Sequence, residues 1–201
     1  MAFATIDVTK GITGTIPVAN GGTGLASGTS GQFLKFTGST TLASAADNGK
    51  IAQMIHAETT SQSSTTGTAY ADTNLTASIT PSATNSKIFL TVTDNVFMQH
   101  TNSHDDIGMA FRMKRTIGGS NTTLYQDANP YGAWYESDRN GVSNKHYIQY
   151  MTLHYVDDDH NTTSAITYLH QIAVQRGNDN AQVRSSEGNT RAVLTLLEVL
   201  A

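Results

Sequence analysis

The sequence predicts an all-β protein, and three of its features favour that fold class. Threonine, which favours strands, accounts for 30 of the 201 residues. Glycine, a usual residue of tight turns, occurs 17 times. Charged residues make up only 14% of the chain, against about 25% in ordinary globular proteins, and the Ala, Glu, Lys and Leu of long helices do not dominate it.

Segments with alternating apolar and polar residues follow one another closely from residue 51 onward. Such alternation predicts strands with one face on a core. About eight strands at this spacing indicate a jelly-roll-like antiparallel β-sandwich, which would form a head domain at residues 50–201. The predicted strands are Ile51–His56, Leu75–Thr80, Lys87–Met98, Ile107–Ile117, Thr122–Gln126, His146–Val156, Ser164–Gln175, Gln182–Ser185 and Arg191–Leu200.

Three local signals refine this outline. Asp94-Asn95 interrupts the apolar strand Lys87–Met98 and predicts a bulge or a break there. The run 118–121 (Gly-Gly-Ser-Asn) predicts a hairpin between the strands that flank it, and Glu187–Asn189 predicts a second hairpin near the C-terminal end.

The last predicted strand is apolar on both faces. One face carries Leu194, Leu196 and Leu200. The other face carries Val193, Leu197 and Val199. Such a strand either lies mid-sheet, covered on both faces within one chain, or packs on another subunit. We favour the second alternative, with one face on the core and the other at a subunit interface, because residues 1–49 also need support from neighbouring chains.

Residues 1–49 differ in composition from the rest of the chain. They contain three aromatic residues and no arginine, and they are dense in Gly, Thr and Ser. So little apolar surface cannot offset the entropy of ordering a chain. A short strand at Gln32–Thr37, a Gly-Ser turn and another short strand are predicted within this stretch. We therefore expect neighbouring chains to support it.

Two phrases in this stretch carry a resemblance to a known family. Residues 16–24 read IPVANGGTG, and residues 28–35 read GTSGQFLK. Together they resemble the shaft region of bacteriophage tail fibres. Residues 70–88 are more loosely similar to the opening of a β-sandwich head domain of phage fibre and virion proteins. The resemblance implies a homotrimer located on the virion, with an N-terminal anchor, a shaft and a C-terminal head.

On this resemblance the chain divides into three parts. Residues 1–12 would be the virion anchor, which binds another virion protein through Phe3, Ile6 and Val8. Residues 13–49 would be a short intertwined trimeric shaft, and residues 50–201 the head. One or two shaft units are few for a fibre, so a short fibre, a head-attached fibre or a tail-tip knob fits best.

Charge and composition argue against several partners. The net charge is −4, so the chain lacks the basic footprint of a nucleic-acid-binding protein. No apolar run reaches the roughly 18 residues of a membrane helix, and we expect no membrane insertion. Cysteine is absent, which excludes disulfides and thiolate metal sites.

The best binding candidate is the aromatic segment at residues 125–140. Flat rings among short polar groups are typical of carbohydrate or protein recognition. The alternative is that Trp134 and Tyr135 plug the end of the sandwich, because a lone tryptophan is usually well buried. The candidate receptor-binding residues are Tyr125, Tyr131, Trp134, Tyr135, Asp138 and Arg139.

Catalytic and metal sites are weaker interpretations. His100 and His104 lie in a predicted loop, and zinc needs three or four converging ligands. The Asp-rich run 157–161 lacks the spacing of a calcium loop and its distal Glu. Glu136 and Asp138 could pair as acid and base for glycan cleavage, but the chain has no room for the long β-helix of such enzymes. We expect no catalytic residue, no metal and no cofactor.

The sequence therefore predicts a phage virion fibre protein. Its trimeric head would recognise a host surface glycan or protein without catalysis. The alternative is a capsid decoration or head-fibre protein that has a structural role and binds no receptor.

Overall fold

The computed structural model describes most of residues 50–201 and part of the stretch before them. The chain divides into two compact units, Met1–Gly49 and Lys50–Ala201. The described residues are 16, 22–23, 25, 28–39, 41–45, 50–100, 106–127, 133–137, 145–176 and 181–200. Among them, no helix is long and apolar enough to cross a membrane.

Thirteen strands and one 3₁₀ turn make up the regular structure of the described residues. In chain order the strands are β1 (Phe33–Gly38), β2 (Thr41–Ala45), β3 (Ile51–Thr59), β4 (Ser63–Thr65), β5 (Ala71–Ile79), β6 (Lys87–His100), β7 (Ile107–Ile117), β8 (Ser120–Gln126), β9 (Trp134–Glu136), β10 (Lys145–Asp157), β11 (Ile166–Arg176), β12 (Gln182–Ser185) and β13 (Ala192–Val199). The predicted all-β fold class is confirmed.

The longer sheet, sheet I, is organised around β6. Strand β10 pairs with β6 along its length, from Asp157 opposite Ile88 to Lys145 opposite His100. On its other side β6 pairs first with β13 and then with β12, which continue to β3 and β4 respectively. All of these pairings are antiparallel.

The second sheet, sheet II, has the order β5-β11-β7-β8, with β9 paired to the remaining part of β7. The hairpin between β7 and β8 turns at Gly118 and Gly119, whose φ angles are +55° and +84°. Residues other than glycine rarely adopt this backbone conformation, which explains why two glycines occupy the turn. The predicted hairpin is confirmed.

The core lies between the two sheets and has two apolar clusters. The first includes Leu90 and Leu194 of sheet I and Tyr168 of sheet II. The second includes Met98 of sheet I and Phe111 of sheet II. Because both clusters draw side chains from both sheets, the unit is a β-sandwich, as predicted.

A polar pair separates the two clusters. Asp94 lies between Val92 and Val96 on the inner face of β6, and His170 occupies the facing position on β11. The Asp94 Oδ2 and His170 Nδ1 atoms are 3.6 Å apart, and both side chains are fully buried. Burial alone lowers the pKa of His170 to about 4, and burial raises the pKa of Asp94.

Asp94-Asn95 does not break or bulge β6, contrary to the prediction. The register of β6 with β10 is continuous through both residues. The carboxylate of Asp94 instead turns inward and accepts hydrogen bonds from the Ser185 hydroxyl (2.5 Å) and the Ser186 backbone N–H (2.9 Å). A buried polar group with such partners is tolerated inside a strand.

The second predicted hairpin, at Glu187–Asn189, is also wrong. Those residues form a 3₁₀ turn, but β12 and β13 do not pair with each other. Both pair with the same side of β6, at Phe97–Gln99 and at Lys87–Thr93 respectively. The turn therefore joins two strands that lie in succession along one neighbour, because β6 is long enough to pair with both.

In the unit 1–49, strands β1 and β2 form an antiparallel hairpin. Phe33, Leu34 and Phe36 of β1 are 56–66% exposed. A two-stranded hairpin with its large apolar side chains in water is at best marginally stable by itself.

Candidate functional site

The predicted binding segment begins where β8 ends, at the outer edge of sheet II. Tyr125 lies opposite Met113 and packs against the first core cluster. Its hydroxyl donates a short hydrogen bond to Asp127 Oδ1. That bond and partial burial raise the pKa of Tyr125 to about 12, because both disfavour the phenolate.

Asp127 fixes this edge to β7. Its Oδ2 atom accepts a hydrogen bond from the Phe111 backbone N–H at 2.6 Å, and its own N–H donates to the Phe111 carbonyl at 3.0 Å. The buried carboxylate is therefore held by the backbone, and it orients the Tyr125 ring in turn. This is a rigid local structure at the start of the segment.

A polar network continues from Asp127 across the outer face of sheet II. The Tyr70 hydroxyl donates to the Asp127 carbonyl (3.3 Å), and the Arg112 guanidinium lies 4.4 Å from the centre of the Tyr70 ring. Arg112 Nε donates to Gln171 Oε1 at 2.6 Å, and Gln171 donates to Asp72. Burial and the nearby Asp127 raise the pKa of Tyr70.

Trp134 is half-buried, and its side chain is on the core side of β9. It pairs with Met109 of β7 and packs against the second core cluster. Its ring centre is 5.9 Å from that of Tyr147. The hydrogen bond from the Ala133 N–H to the Met109 carbonyl, at 2.7 Å, holds the strand in this position. Trp134 therefore has the geometry of a plug, the second of the two roles that the sequence allowed.

Tyr135 lies opposite Gly108, on the other face of β9 from Trp134. Its hydroxyl donates to Asp106 Oδ2 at 2.5 Å. The half-buried ring thus faces outward, while its hydroxyl is bonded to a side chain of the same unit. Of the predicted candidates, it is the described one best placed to present a ring face to a partner.

The other predicted residues lie outside the described part of the chain. They are the receptor-binding candidates Tyr131, Asp138 and Arg139 and the anchor candidates Phe3, Ile6 and Val8. Their roles stay predictions, as does receptor binding by Tyr125, Trp134 and Tyr135.

Two of the aspartates considered for calcium, Asp157 and Asp159, form ion pairs with Arg115. Arg115 Nη1 donates to Asp157 Oδ1 at 2.6 Å and to Asp159 Oδ1 at 2.5 Å. The Tyr168 hydroxyl donates to the other oxygen of Asp157 at 2.7 Å. Bonding to Arg115 lowers the pKa of Asp159, whereas burial raises that of Asp157. In the described part of the chain, no three acidic or histidine side chains converge as a metal site.

The members of the network that come from outside residues 125–140 could not be identified from the sequence. Tyr70 precedes β5, Arg112 lies in β7 and Gln171 lies in β11. Only the pairing of these strands brings them together. One signal was available: the alternation in 107–117 places Arg112 on the polar face of its strand, away from the core.

Comparison with known proteins gives no family for this chain. No protein-family model matches it, and no curated protein matches its sequence.

Solved structures with a distant likeness come from infectious bursal disease virus. The structure of the Gt strain is 12% identical with a TM-score of 0.37, and that of the Gx strain is 12% identical with a TM-score of 0.39. The VP2 subviral particle is 14% identical with a TM-score of 0.35. Each match covers 83% of this chain but only 41–42% of the other. The chain thus spans about two fifths of their length, and we transfer no function from them.

Proposed function

We propose that this protein is a homotrimeric phage virion fibre protein whose β-sandwich head recognises the host surface by binding, without catalysis. Residues 1–12 would bind another virion protein, and residues 13–49 would form the shaft. The proposal rests on the shaft phrases in residues 16–35 and on one structural observation.

That observation is the exposure of the apolar side chains of the hairpin formed by β1 and β2. Phe33 and Phe36 are 62% and 66% exposed, although aromatic side chains gain the most from burial. A segment with this pattern needs apolar surface from elsewhere. Three copies wound around one axis would supply it, since each copy would offer the others the same exposed rings.

The outer edge of sheet II suits a recognition site. Tyr70, Tyr135 and the guanidinium of Arg112 offer ring faces and directed donors on a rigid sheet. Aromatic faces beside short polar groups are the chemistry that glycans and protein loops use. We therefore place host recognition at this edge, with a surface glycan or protein as the partner.

A specific observation favours the structural alternative, a capsid decoration or head-fibre protein. The hydroxyls of Tyr70, Tyr125 and Tyr135 are all bonded within the unit, and Trp134 packs on the core. If these groups only stabilise the sandwich, the head has a structural role and binds no receptor.

Adsorption competition tests the two candidates. Host cells would receive the purified protein in excess before the virus. Recognition predicts that adsorption falls, that a Tyr135→Ala variant loses this effect, and that a Thr76→Ala variant, on the far strand of the same sheet, retains it. Unchanged adsorption at saturating wild-type protein would favour the structural role.

Light scattering tests the oligomer separately. The intact protein should have the mass of three chains of 21.5 kDa. A monomer at micromolar concentration would contradict the trimeric shaft, whatever the result of the adsorption experiment.

A further inference from the structure

The outer face of sheet I carries the exposed apolar surface of the sandwich. In the described part of the unit 50–201, every exposed large apolar side chain lies on strands β3 and β10 of this sheet. They are Ile51, Met54, Ile148, Tyr150 and Val156, with exposed fractions of 44–64%. A single apolar side chain in water needs no explanation, but five on one sheet face form a patch.

The strand register places two of these residues, Met54 and Val156, in one continuous row. Met54 is opposite Leu197, Leu197 is opposite Phe89, and Phe89 is opposite Val156. Directly opposed residues point to the same face, so this row crosses four strands. Leu197 and Phe89, in the middle of the row, are half-buried by their neighbours, which makes the row dense as well as apolar.

The next rows are built from hydroxyls that are bonded within the sheet. Thr91 Oγ1 is 3.1 Å from His154 Nδ1, and Thr93 Oγ1 is 3.4 Å from Thr152 Oγ1. In each case the partners lie opposite each other on β6 and β10. Covering polar groups that already have hydrogen-bond partners costs little free energy. These rows can therefore be buried together with the apolar row.

Charge on this face lies at its margins and in pairs. The described pairs are Glu58 with Arg191 (3.3 Å), Glu58 with His56 (3.6 Å), Lys87 with Asp158 (3.9 Å) and Arg184 with Glu187 (3.2 Å). In the row of Ile148, the Arg184 guanidinium lies 4.6 Å from the centre of the Phe97 ring. The row of Met54, Leu197, Phe89 and Val156 carries no charged side chain. A partner that carries charge would lose hydration here and gain no ion pair, so the surface selects an uncharged partner.

Strand β10 adds an open edge to the same face. It pairs with β6 over thirteen consecutive residue pairs without a register shift, and within the described residues no strand pairs with its other side. Its outward side chains include Ile148 and Tyr150, which are 61% and 62% exposed. Soluble proteins usually protect a long, regular, apolar edge with charges, bulges or a covering element. Here a covering element is required.

The size of the face matches a specific protein interface. Strands about 4.8 Å apart that rise about 3.3 Å per residue give a surface of roughly 700 Å² for the paired parts of β3, β13, β6 and β10. A stable complex buries roughly 600–1,000 Å² on each partner. The face is therefore large enough to hold a folded partner by itself.

We infer that the outer face of sheet I packs against the same face in other copies of this chain. This deepens the proposed trimer by naming where the heads meet. A copy of this chain is the occupant that the chemistry of the two faces favours. The outer surface of sheet II carries Asp72, Arg112 and Lys114, whereas the row from Met54 to Val156 on sheet I is apolar and uncharged. Three such faces around one axis exclude water from one another and leave sheet II outside.

A single-cysteine labelling experiment tests the inference, and the absence of cysteine from the chain makes it clean. Met54→Cys reports on the sheet I face and Ser78→Cys, on β5, reports on the sheet II face; both positions are exposed in the single chain. In the intact full-length protein we expect a maleimide to label M54C at least tenfold more slowly than S78C. Equal rates should return in urea, which dissociates and unfolds the protein.

The outcomes separate this inference from the proposed function. Rapid labelling of M54C in an oligomer of the expected mass would contradict the interface on sheet I but not the proposed trimer. Protection of M54C with no competition for adsorption supports the interface and contradicts host recognition. A second variant, Val156→Cys on β10, should be protected like M54C; rapid labelling there would also overturn the inference.

Discussion

The two outer faces of the sandwich differ in the polarity of their exposed side chains. On sheet II, Lys114 lies 3.5 Å from Asp72, and Arg112 bonds Gln171, so charges meet other charges or dipoles at the surface. On sheet I, Met54 and Val156 face outward with no charge between them. The outward side chains of sheet II are thus polar and paired, whereas sheet I leaves large apolar side chains exposed to water.

This contrast shows that alternation in a strand does not identify the solvent face. Strands β5 and β13 both alternate buried and less buried residues. The outward residues of β5 are Asp72, Asn74, Thr76 and Ser78, whereas those of β13 are Val193, Thr195, Leu197 and Val199. The residue types at the less buried positions, and not the alternation itself, therefore distinguish a face that suits water from one that suits another chain.

We expect the largest effect from a comparison of Arg115 and Lys114, two neighbouring cations of β7 that point to opposite faces of sheet II. Arg115→Met would leave the buried Asp157 carboxylate without its 2.6 Å ion pair. We expect the free energy of unfolding to fall by about 3–5 kcal/mol, the usual cost of stranding a buried charge. Urea denaturation measures it.

Lys114→Met is the matched control. Asp72, its partner, is 59% exposed, so water replaces the lost ion pair, and the expected loss is below about 1 kcal/mol. Equal losses for the two variants would contradict the assignment of Arg115 as the buried cation of sheet II.

The second prediction concerns the polar pair between the sheets. His170 has a folded pKa of about 4 and an unfolded pKa of about 6.5, so the unfolded chain binds the proton first as the pH falls. The histidine contribution to stability is therefore complete above pH 6.5 and is lost as the pH drops toward 4. At pH 5 this loss should reach about 2 kcal/mol relative to pH 7.

Comparison with His170→Leu isolates that contribution. The raised pKa of Asp94 acts in the opposite direction, because the folded protein binds that proton first, but it is present in both proteins. The wild-type urea midpoint should fall more steeply from pH 7 to 5 than that of the variant. Parallel curves would show that His170 does not remain neutral in the fold.

Much of the fold could be predicted because strand formation depends on local alternation. The bounds of β7 and β12 agree with the predicted segments Ile107–Ile117 and Gln182–Ser185. The three-residue strands β4 and β9 were missed, since so short a segment shows no periodicity. The role of Asp94 could not be predicted either, because its donors, Ser185 and Ser186, lie more than ninety residues away.

The candidate site could be predicted only in part, for the same reason. Tyr125 and Trp134 were chosen from a local cluster of rings, which does not say which face of a strand each ring takes. The pairing of Trp134 with Met109 places it on the core side, and that pairing is a tertiary feature. Tyr70 and Arg112 meet through strand order alone.

The third prediction places a charge on each outer face in turn. Met54→Glu would put a carboxylate into the uncharged row of sheet I, and Thr76→Glu would put one on sheet II. Burying an unpaired charge costs several kcal/mol, whereas an exposed one costs little. We expect M54E to raise the dissociation constant of the oligomer at least tenfold and T76E to leave it unchanged, by sedimentation across a dilution series.

The smallest predicted effect compares two tyrosine hydroxyls that bond the same aspartate. Tyr125 donates to the carboxylate of Asp127, and Tyr70 donates to its carbonyl at 3.3 Å. A hydrogen bond to a charged acceptor is the stronger kind, so Tyr125→Phe should cost about 1 kcal/mol and Tyr70→Phe about half of that or less. Tyr125→Phe should also remove a phenol that ionises near pH 12 from the ultraviolet titration. Equal costs, with loss of a phenol that ionises near pH 10 and not near pH 12, would show that the Asp127 carboxylate is not the acceptor that fixes this edge of sheet II.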